Sequence, residues 1–154
     1  MREKARARDG TTVETMTMDE FRMDMLASVA AAGLARTLVE QRLIKWGLRH
    51  VADDTHLITA ELVANAVAAT PGRKIHFRIS RDASGLLIEV WDSSNEVPRP
   101  KPLVELDLDS LDLSEDGFDQ NGGWGLPIIQ ALSQDCGYTP SPGGGKTVWA
   151  RVMA

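Results

Sequence analysis

The alternation of hydrophobic and polar residues along the chain predicts two helices followed by a β-hairpin. Apolar residues recur at a helical period over residues 27–46, and residues 57–69 are apolar almost throughout. In residues 74–80 and 86–92, apolar residues alternate with polar ones, as expected for strands with one buried face. Residues 82–85 have the composition of a tight turn, so these two strands are predicted to pair as a hairpin.

The two ends of the chain complete the predicted fold. Residues 15–25 predict a strand, a helix is predicted after Gly125, and residues 146–152 predict a last strand. The first helix is predicted to bury one stripe of side chains, formed by Val29, Ala32, Arg36, Val39, Leu43 and Trp46. This order of elements predicts an α+β fold, a two-layer α/β sandwich in which helices cover one face of a mixed, mostly antiparallel sheet.

The composition is that of an ordinary folded domain. The chain has 154 residues, of which 43% are hydrophobic and 25% charged, and this suits one domain with a core. The net charge of −5 argues against a general affinity for nucleic acid or an anionic membrane. No apolar run approaches the roughly 20 residues that span a bilayer, and the N-terminus lacks the apolar segment of a signal peptide. The single cysteine excludes an intrachain disulfide, and these features together favour a cytoplasmic protein.

Only Thr59, Glu61 and Asn65 interrupt the most apolar helix with polar side chains. Glu61 and Asn65 are four residues apart, so both lie on one face of the helix, one turn from each other. A carboxylate and an amide in such surroundings need partners, because burying them alone costs several kcal/mol in order of magnitude. The pair is therefore either a buried structural network or part of a ligand site, and this segment by itself leaves both interpretations open.

Two further features favour a nucleotide and Mg²⁺ as the ligand. Asp92 ends a strand on its predicted core side, where a carboxylate can accept a hydrogen bond from the amino group of adenine. The glycine-rich residues 122–125 precede a helix, whose N-terminus attracts phosphates. The amide oxygen of Asn65 suits Mg²⁺, and Glu61 can deprotonate an attacking hydroxyl. Asp92 alone is more typical of a turn and the glycines alone are a weak signal, so their order and spacing carry this interpretation.

The same order of segments resembles the GHKL ATPase superfamily, which includes gyrase and the histidine kinases. The Glu-x-x-x-Asn-Ala pattern over residues 61–66 is similar to its N box. Asp92, with the two serines after it, is similar to the start of the G1 box, and Gly123-Trp124-Gly125-Leu126 is similar to the G2 box. The resemblance implies the Bergerat-type ATP-binding fold over nearly the whole chain.

The closest resemblance is to the anti-sigma-factor serine/threonine kinases, supported by residues 46–48, 61–67 and 144–149. It implies that Glu61 is the catalytic base and that Asn65 is the Mg²⁺ ligand and also binds the nucleotide. It further implies nucleotide contacts from a second set of residues, which are Asp92, Gly123, Trp124, Gly125, Leu126 and Thr147. Asp92 would bind the adenine, and Thr147 would assist there through a water molecule.

The resemblance also implies domain boundaries, cofactors and partners. Residues 1–12 would form a flexible tail, and residues 13–154 a single ATPase domain with residues 93–122 as the lid over ATP. The cofactors would be ATP and Mg²⁺. The protein would sequester a sigma factor and phosphorylate an anti-anti-sigma antagonist of the STAS type. A homodimer is a further expectation, whereas direct contact with nucleic acid or a membrane is not.

The chain departs from this family in ways that favour an alternative function. Residues 92–96 lack the usual glycines, and the lid region carries eight acids but only Arg99 and Lys101 as bases, which would repel ATP. The alternative is a non-catalytic nucleotide-binding or protein-interaction module with the same fold. A histidine-kinase fragment is disfavoured, because no phospho-accepting helix pair precedes residue 60. Residues 143–147 imitate a P-loop, but Pro140 replaces its first glycine, so a hairpin turn is predicted there.

Overall fold

A computed structural model describes residues 16–17, 19–96 and 125–154. Its helices are α1 (Ala31–Trp46), a short 3-10 helix (Arg49–Val51), α2 (Ala52–Ala69) and α3 (Gly125–Leu132). Its strands are β1 (Met16–Thr17), β2 (Glu20–Leu26), β3 (Lys74–Asp82), β4 (Gly85–Asp92), β5 (Asp135–Pro140) and β6 (Lys146–Val152). The predicted tail and most of the predicted lid, including Arg99 and Lys101, lie outside the described residues.

The strands form one six-stranded sheet in the order β1-β2-β3-β4-β6-β5. The hairpin of β3 and β4 agrees with the predicted turn, since Asp82 pairs with Gly85. Every pairing between the described strands is antiparallel, so this part of the sheet is not mixed as the sequence predicted. The difference arises because β5, a strand that the sequence analysis did not identify, joins β6 through a second hairpin.

The helices cover one face of this sheet, which gives the expected two-layer α+β sandwich. α2 packs on β4 and β6 and is flanked by α1 and α3. Apolar side chains from alternate positions of the strands meet the helices in a single core, which includes Phe77, Ile88, Val90 and Ala150. α2 is therefore the central helix and lies over the strands that carry the site described below.

The buried stripe of α1 agrees with the predicted one at Val39, Leu43 and Trp46 and differs from it near the start of the helix. The helix begins at Ala31, so Val29 precedes it and is 100% exposed. Arg36 is also exposed, whereas Arg42 is buried with its guanidinium over the rings of Phe21 and Trp46. The prediction was wrong here because the helix starts later than its apolar pattern, and because the small residue Ala35 packs against the core in place of Arg36.

The opposite face of the sheet carries polar side chains. Arg78 on β3 bridges Glu20 on β2 and Glu89 on β4 with short hydrogen bonds. Next to it, the ring of His76 lies 4.8 Å from the ring of Trp91, measured between centroids. A polar outer face of this kind is typical of a sheet covered on one side only. No helix in the described part of the chain is long and apolar enough to cross a membrane.

Candidate functional site

Asp92 lies at the end of the sheet where α2 runs into β3. It is the last residue of β4, and its side chain points toward the helices, as the strand parity predicted. It is only 1% exposed. The pairing of His76 with Trp91 places Asp92 beside the first residues of β3, which follow α2 after a short turn. A carboxylate in this position requires partners from the protein or from a ligand.

The principal partner of Asp92 is Lys146, the first residue of β6. The Lys146 ammonium donates a hydrogen bond of 2.8 Å to Oδ1 of Asp92, and both side chains are buried. The backbone N–H of Ser94 donates to the same oxygen at 2.9 Å. Two donors thus meet Oδ1, which compensates the buried charge and holds the carboxylate in one orientation.

The residues after Asp92 are held against the β5–β6 turn. Oδ1 of Asn95 accepts a hydrogen bond of 2.9 Å from the backbone N–H of Gly145. Gly145 has a φ of 80°, a region that residues with a side chain rarely adopt. A Cβ atom at Gly145 would lie 2.2 Å from the carbonyl oxygen of Asp92 and 2.8 Å from the ring of Trp91. The absence of a side chain at Gly145 therefore allows the turn to close on Asp92.

We expect Gly145→Ala to destabilise the domain by about 2–4 kcal/mol, because it combines a disfavoured φ with a backbone clash. The matched control is Gly143→Ala, since a Cβ atom at Gly143 has nothing within 4 Å. Urea denaturation of both variants measures the difference. Equal stability of the two variants would contradict the close packing of Gly145 against Asp92.

Glu61 and Asn65 lie together on the flank of α2. The buried face of this helix includes Ile58, Leu62 and Ala66, and Glu61 and Asn65 are half-buried at the edge of that face. The two side chains therefore lie at the border of the apolar core, where a ligand could contact them. Burial raises the pKa of Glu61 and makes its carboxylate a stronger base than an exposed one.

Asn65 has an amide nitrogen that lacks a hydrogen-bond partner among the described residues. Its Nδ2 atom is buried and makes no hydrogen bond in the described part of the protein. An amide has both a donor and an acceptor, so its oxygen can ligate Mg²⁺ while its nitrogen donates to a phosphate oxygen. This unpaired amide fits the nucleotide and Mg²⁺ that the sequence predicted. Among the residues described, no three acidic, histidine or cysteine side chains gather as a metal site.

Of the four predicted residues of the phosphate loop, the structure describes only the last two. Gly123 and Trp124 of the predicted phosphate loop lie outside the described residues. Gly125 and Leu126 are the first two residues of α3, so a helix does begin where the sequence placed it. α3 packs against α2, the helix that carries Glu61 and Asn65. The described structure thus brings the start of α3 to the same helix layer as the candidate base.

The structure does not bring Thr147 to the other site residues. On β6, Val148 and Ala150 are buried against the helices, so the alternation of the strand turns Thr147 to the opposite face of the sheet. Lys146 occupies the inward position next to Asp92 instead. Sequence analysis missed Lys146 because it was treated as part of an imitated P-loop. The parity of the apolar residues on β6 was the signal that could have revealed it.

Comparison with known proteins identifies the family of this chain. The family model of the histidine kinase-like ATPase domain matches residues 17–152. The chain belongs to this family. No curated protein matches the chain. The matched residues are nearly all of the sequence, so family membership supports the binding of ATP by this domain.

Proposed function

We propose that this ATPase domain is a regulatory serine/threonine kinase of the anti-sigma type. It binds ATP with Mg²⁺, transfers the γ-phosphoryl group to a hydroxyl of an anti-anti-sigma antagonist of the STAS type, and sequesters a sigma factor while the antagonist is phosphorylated. The observation that carries the proposal is the pair on the flank of α2, which combines a carboxylate of raised pKa with an unpaired amide one turn away.

Glu61 and Asn65 have different roles in the proposed reaction. Glu61 accepts the proton of the attacking serine or threonine hydroxyl, whose oxygen forms a bond to the γ-phosphorus. The bond from the γ-phosphorus to the bridging oxygen breaks, and ADP leaves. Asn65 holds the phosphates through its amide. Mg²⁺, when bound, supplies positive charge that offsets the phosphate charge.

The test of this function is a transfer assay. The purified protein is incubated with γ-labelled ATP and Mg²⁺, together with STAS-type antagonists encoded in the same genome, and label is followed on the antagonist. We expect serine or threonine phosphorylation of one antagonist, and release of a sigma factor by its unphosphorylated form. Nucleotide binding without transfer to any antagonist would contradict the kinase.

We expect Asn65→Ala to weaken the affinity for Mg-ATP by about tenfold or more, because it removes the amide from the phosphate site. Calorimetry in Mg²⁺ and in EDTA measures the effect, and Gln41→Ala on the exposed side of α1 is the control. The difference between wild type and Asn65→Ala should shrink in EDTA if the amide oxygen acts through the metal. An unchanged affinity for Mg-ATP would exclude Asn65 from the site.

A second candidate function is a non-catalytic module that acts only by binding other proteins. The observation in its favour is the Asp92–Lys146 pair, because a carboxylate that already has a buried cation can serve the fold alone. The two functions differ in their response to nucleotide. A protein whose melting temperature does not change with millimolar Mg-ATP, and which still binds a sigma factor, would favour the module.

A further inference from the structure

We infer that Lys146 is a specificity-determining residue, which donates a hydrogen bond to N1 of adenine while Asp92 accepts one from the 6-amino group. The inference rests on the proposed nucleotide site and assigns Lys146 a role in it. It makes the buried pair of Asp92 and Lys146 the element that selects the base.

The hydrogen bonds of Asp92 leave one acceptor for a ligand. Lys146 and the backbone N–H of Ser94 both donate to Oδ1. Within the described residues, Oδ2 accepts no hydrogen bond, although the side chain is almost completely buried. A carboxylate held through one oxygen therefore presents the other as a fixed acceptor.

Lys146 has N–H donors that Asp92 does not use. Its ammonium has three N–H groups, and Asp92 is its one side-chain partner in the described part of the chain. The side chain is only 8% exposed, so water compensates the remaining donors poorly. The site thus offers a carboxylate acceptor and an ammonium donor next to each other.

This pattern complements adenine and not guanine. The Watson–Crick edge of adenine presents a donor, the 6-amino group, beside an acceptor, N1. In the same ring position, guanine would place its O6 acceptor against Asp92 and its N1–H donor against Lys146. Both contacts would then be repulsive, so we expect ATP to bind at least about a hundredfold more tightly than GTP.

Nucleotide analogues test the contact on the unaltered protein. Calorimetry with Mg²⁺ compares ATP with 1-deaza-ATP, which lacks N1 but keeps the 6-amino group, and with 7-deaza-ATP as the matched control. We expect 1-deaza-ATP to bind about tenfold or more weakly than ATP, because a charge-assisted hydrogen bond is lost. The affinity for 7-deaza-ATP should stay within about threefold of that for ATP.

Variants of Lys146 separate base recognition from a structural role. We expect Lys146→Met to bind ATP and 1-deaza-ATP with equal affinity, because the N–H donor to N1 is gone. Lys146→Gln keeps N–H donors, so it should recover part of the preference for ATP over 1-deaza-ATP. Lys45→Met, an exposed lysine on α1 at the far end of the sheet, should discriminate like wild type. If the ion pair had only a structural role, Lys146→Met would weaken the binding of both nucleotides and leave the ratio of their affinities as in wild type.

The outcomes distinguish the inference from the proposed function. If wild type binds ATP and 1-deaza-ATP with equal affinity, or binds GTP as tightly as ATP, the role of Lys146 in base recognition is overturned and the nucleotide site stands. If no adenine nucleotide binds, the proposed kinase is overturned, and the inference falls with it. Should Lys146→Met fail to fold, the analogue comparison on wild type decides alone.

Discussion

Glu61→Gln is expected to lower phosphoryl transfer to the antagonist by about 10²–10⁴-fold, because glutamine cannot accept the proton of the attacking hydroxyl. The affinity for Mg-ATP should stay within about threefold of wild type, since the amide has nearly the shape of the carboxylic acid and the phosphates are held elsewhere. Single-turnover transfer and calorimetry measure the two quantities separately. The control is Glu40→Gln on the exposed side of α1, which should transfer like wild type.

The raised pKa of Glu61 makes two pH dependences part of this prediction. Transfer requires the carboxylate, so its rate should rise with pH through the pKa of Glu61 and then level off. The free energy of unfolding depends on pH in the opposite direction. Because the pKa of Glu61 is higher in the folded state, the protonated carboxyl group favours folding, and this contribution is lost as pH rises through the folded pKa. Glu61→Gln should therefore melt slightly above wild type at pH 8, by at most about 2 °C given its partial exposure. The two proteins should melt together near pH 4.

A variant that transfers normally, or that loses transfer only because it no longer binds Mg-ATP, would remove Glu61 from the role of base. A melting temperature below that of wild type at pH 8 would show that the carboxylate makes a stabilising contact instead. The stability of Glu61→Gln thus decides between a ligand site and a structural network, the two interpretations that the sequence left open.

The second large effect is expected at the buried ion pair. Asp92→Val and Lys146→Met should each destabilise the domain by about 3–5 kcal/mol, because each leaves one buried charge without its partner. This is a large share of the roughly 5–15 kcal/mol that holds a typical domain together. The double variant should recover most of the loss, since two apolar residues can replace a buried ion pair at little cost. Urea denaturation at constant ionic strength gives the four free energies of unfolding.

Nucleotide binding should follow a different pattern from stability. The double variant lacks both the acceptor and the donor for the base, so it should fold but bind Mg-ATP more weakly than wild type by about a hundredfold or more. If the double variant is as unstable as the single variants, apolar packing of the new valine and methionine side chains does not replace the ion pair. A stable double variant with wild-type affinity for ATP would place the base elsewhere.

The elements with strong hydrophobic periodicity are the ones that the sequence predicted most accurately. The hairpin of β3 and β4 and the helix α2 could be predicted closely, because alternation and length identify such elements locally. The strand β5 escaped prediction, since Asp135 to Pro140 has half-exposed and polar positions with no regular alternation and is a strand only because β6 pairs with it. The stripe of α1 was predicted correctly at Val39, Leu43 and Trp46 but not at its start, where no side chain caps the helix to mark its first residue.

The sequence by itself determined the family resemblance, the two-layer α+β order and the candidates Glu61, Asn65 and Asp92, because these depend on spacing along one helix or on the parity of one strand. Only the tertiary structure brought Lys146 to Asp92 and closed Gly145 on the end of β4. These contacts join residues about fifty positions apart through the pairing of β4 with β6. Such a register is a property of the assembled sheet, since no local signal reports which residue of one strand faces a given residue of another.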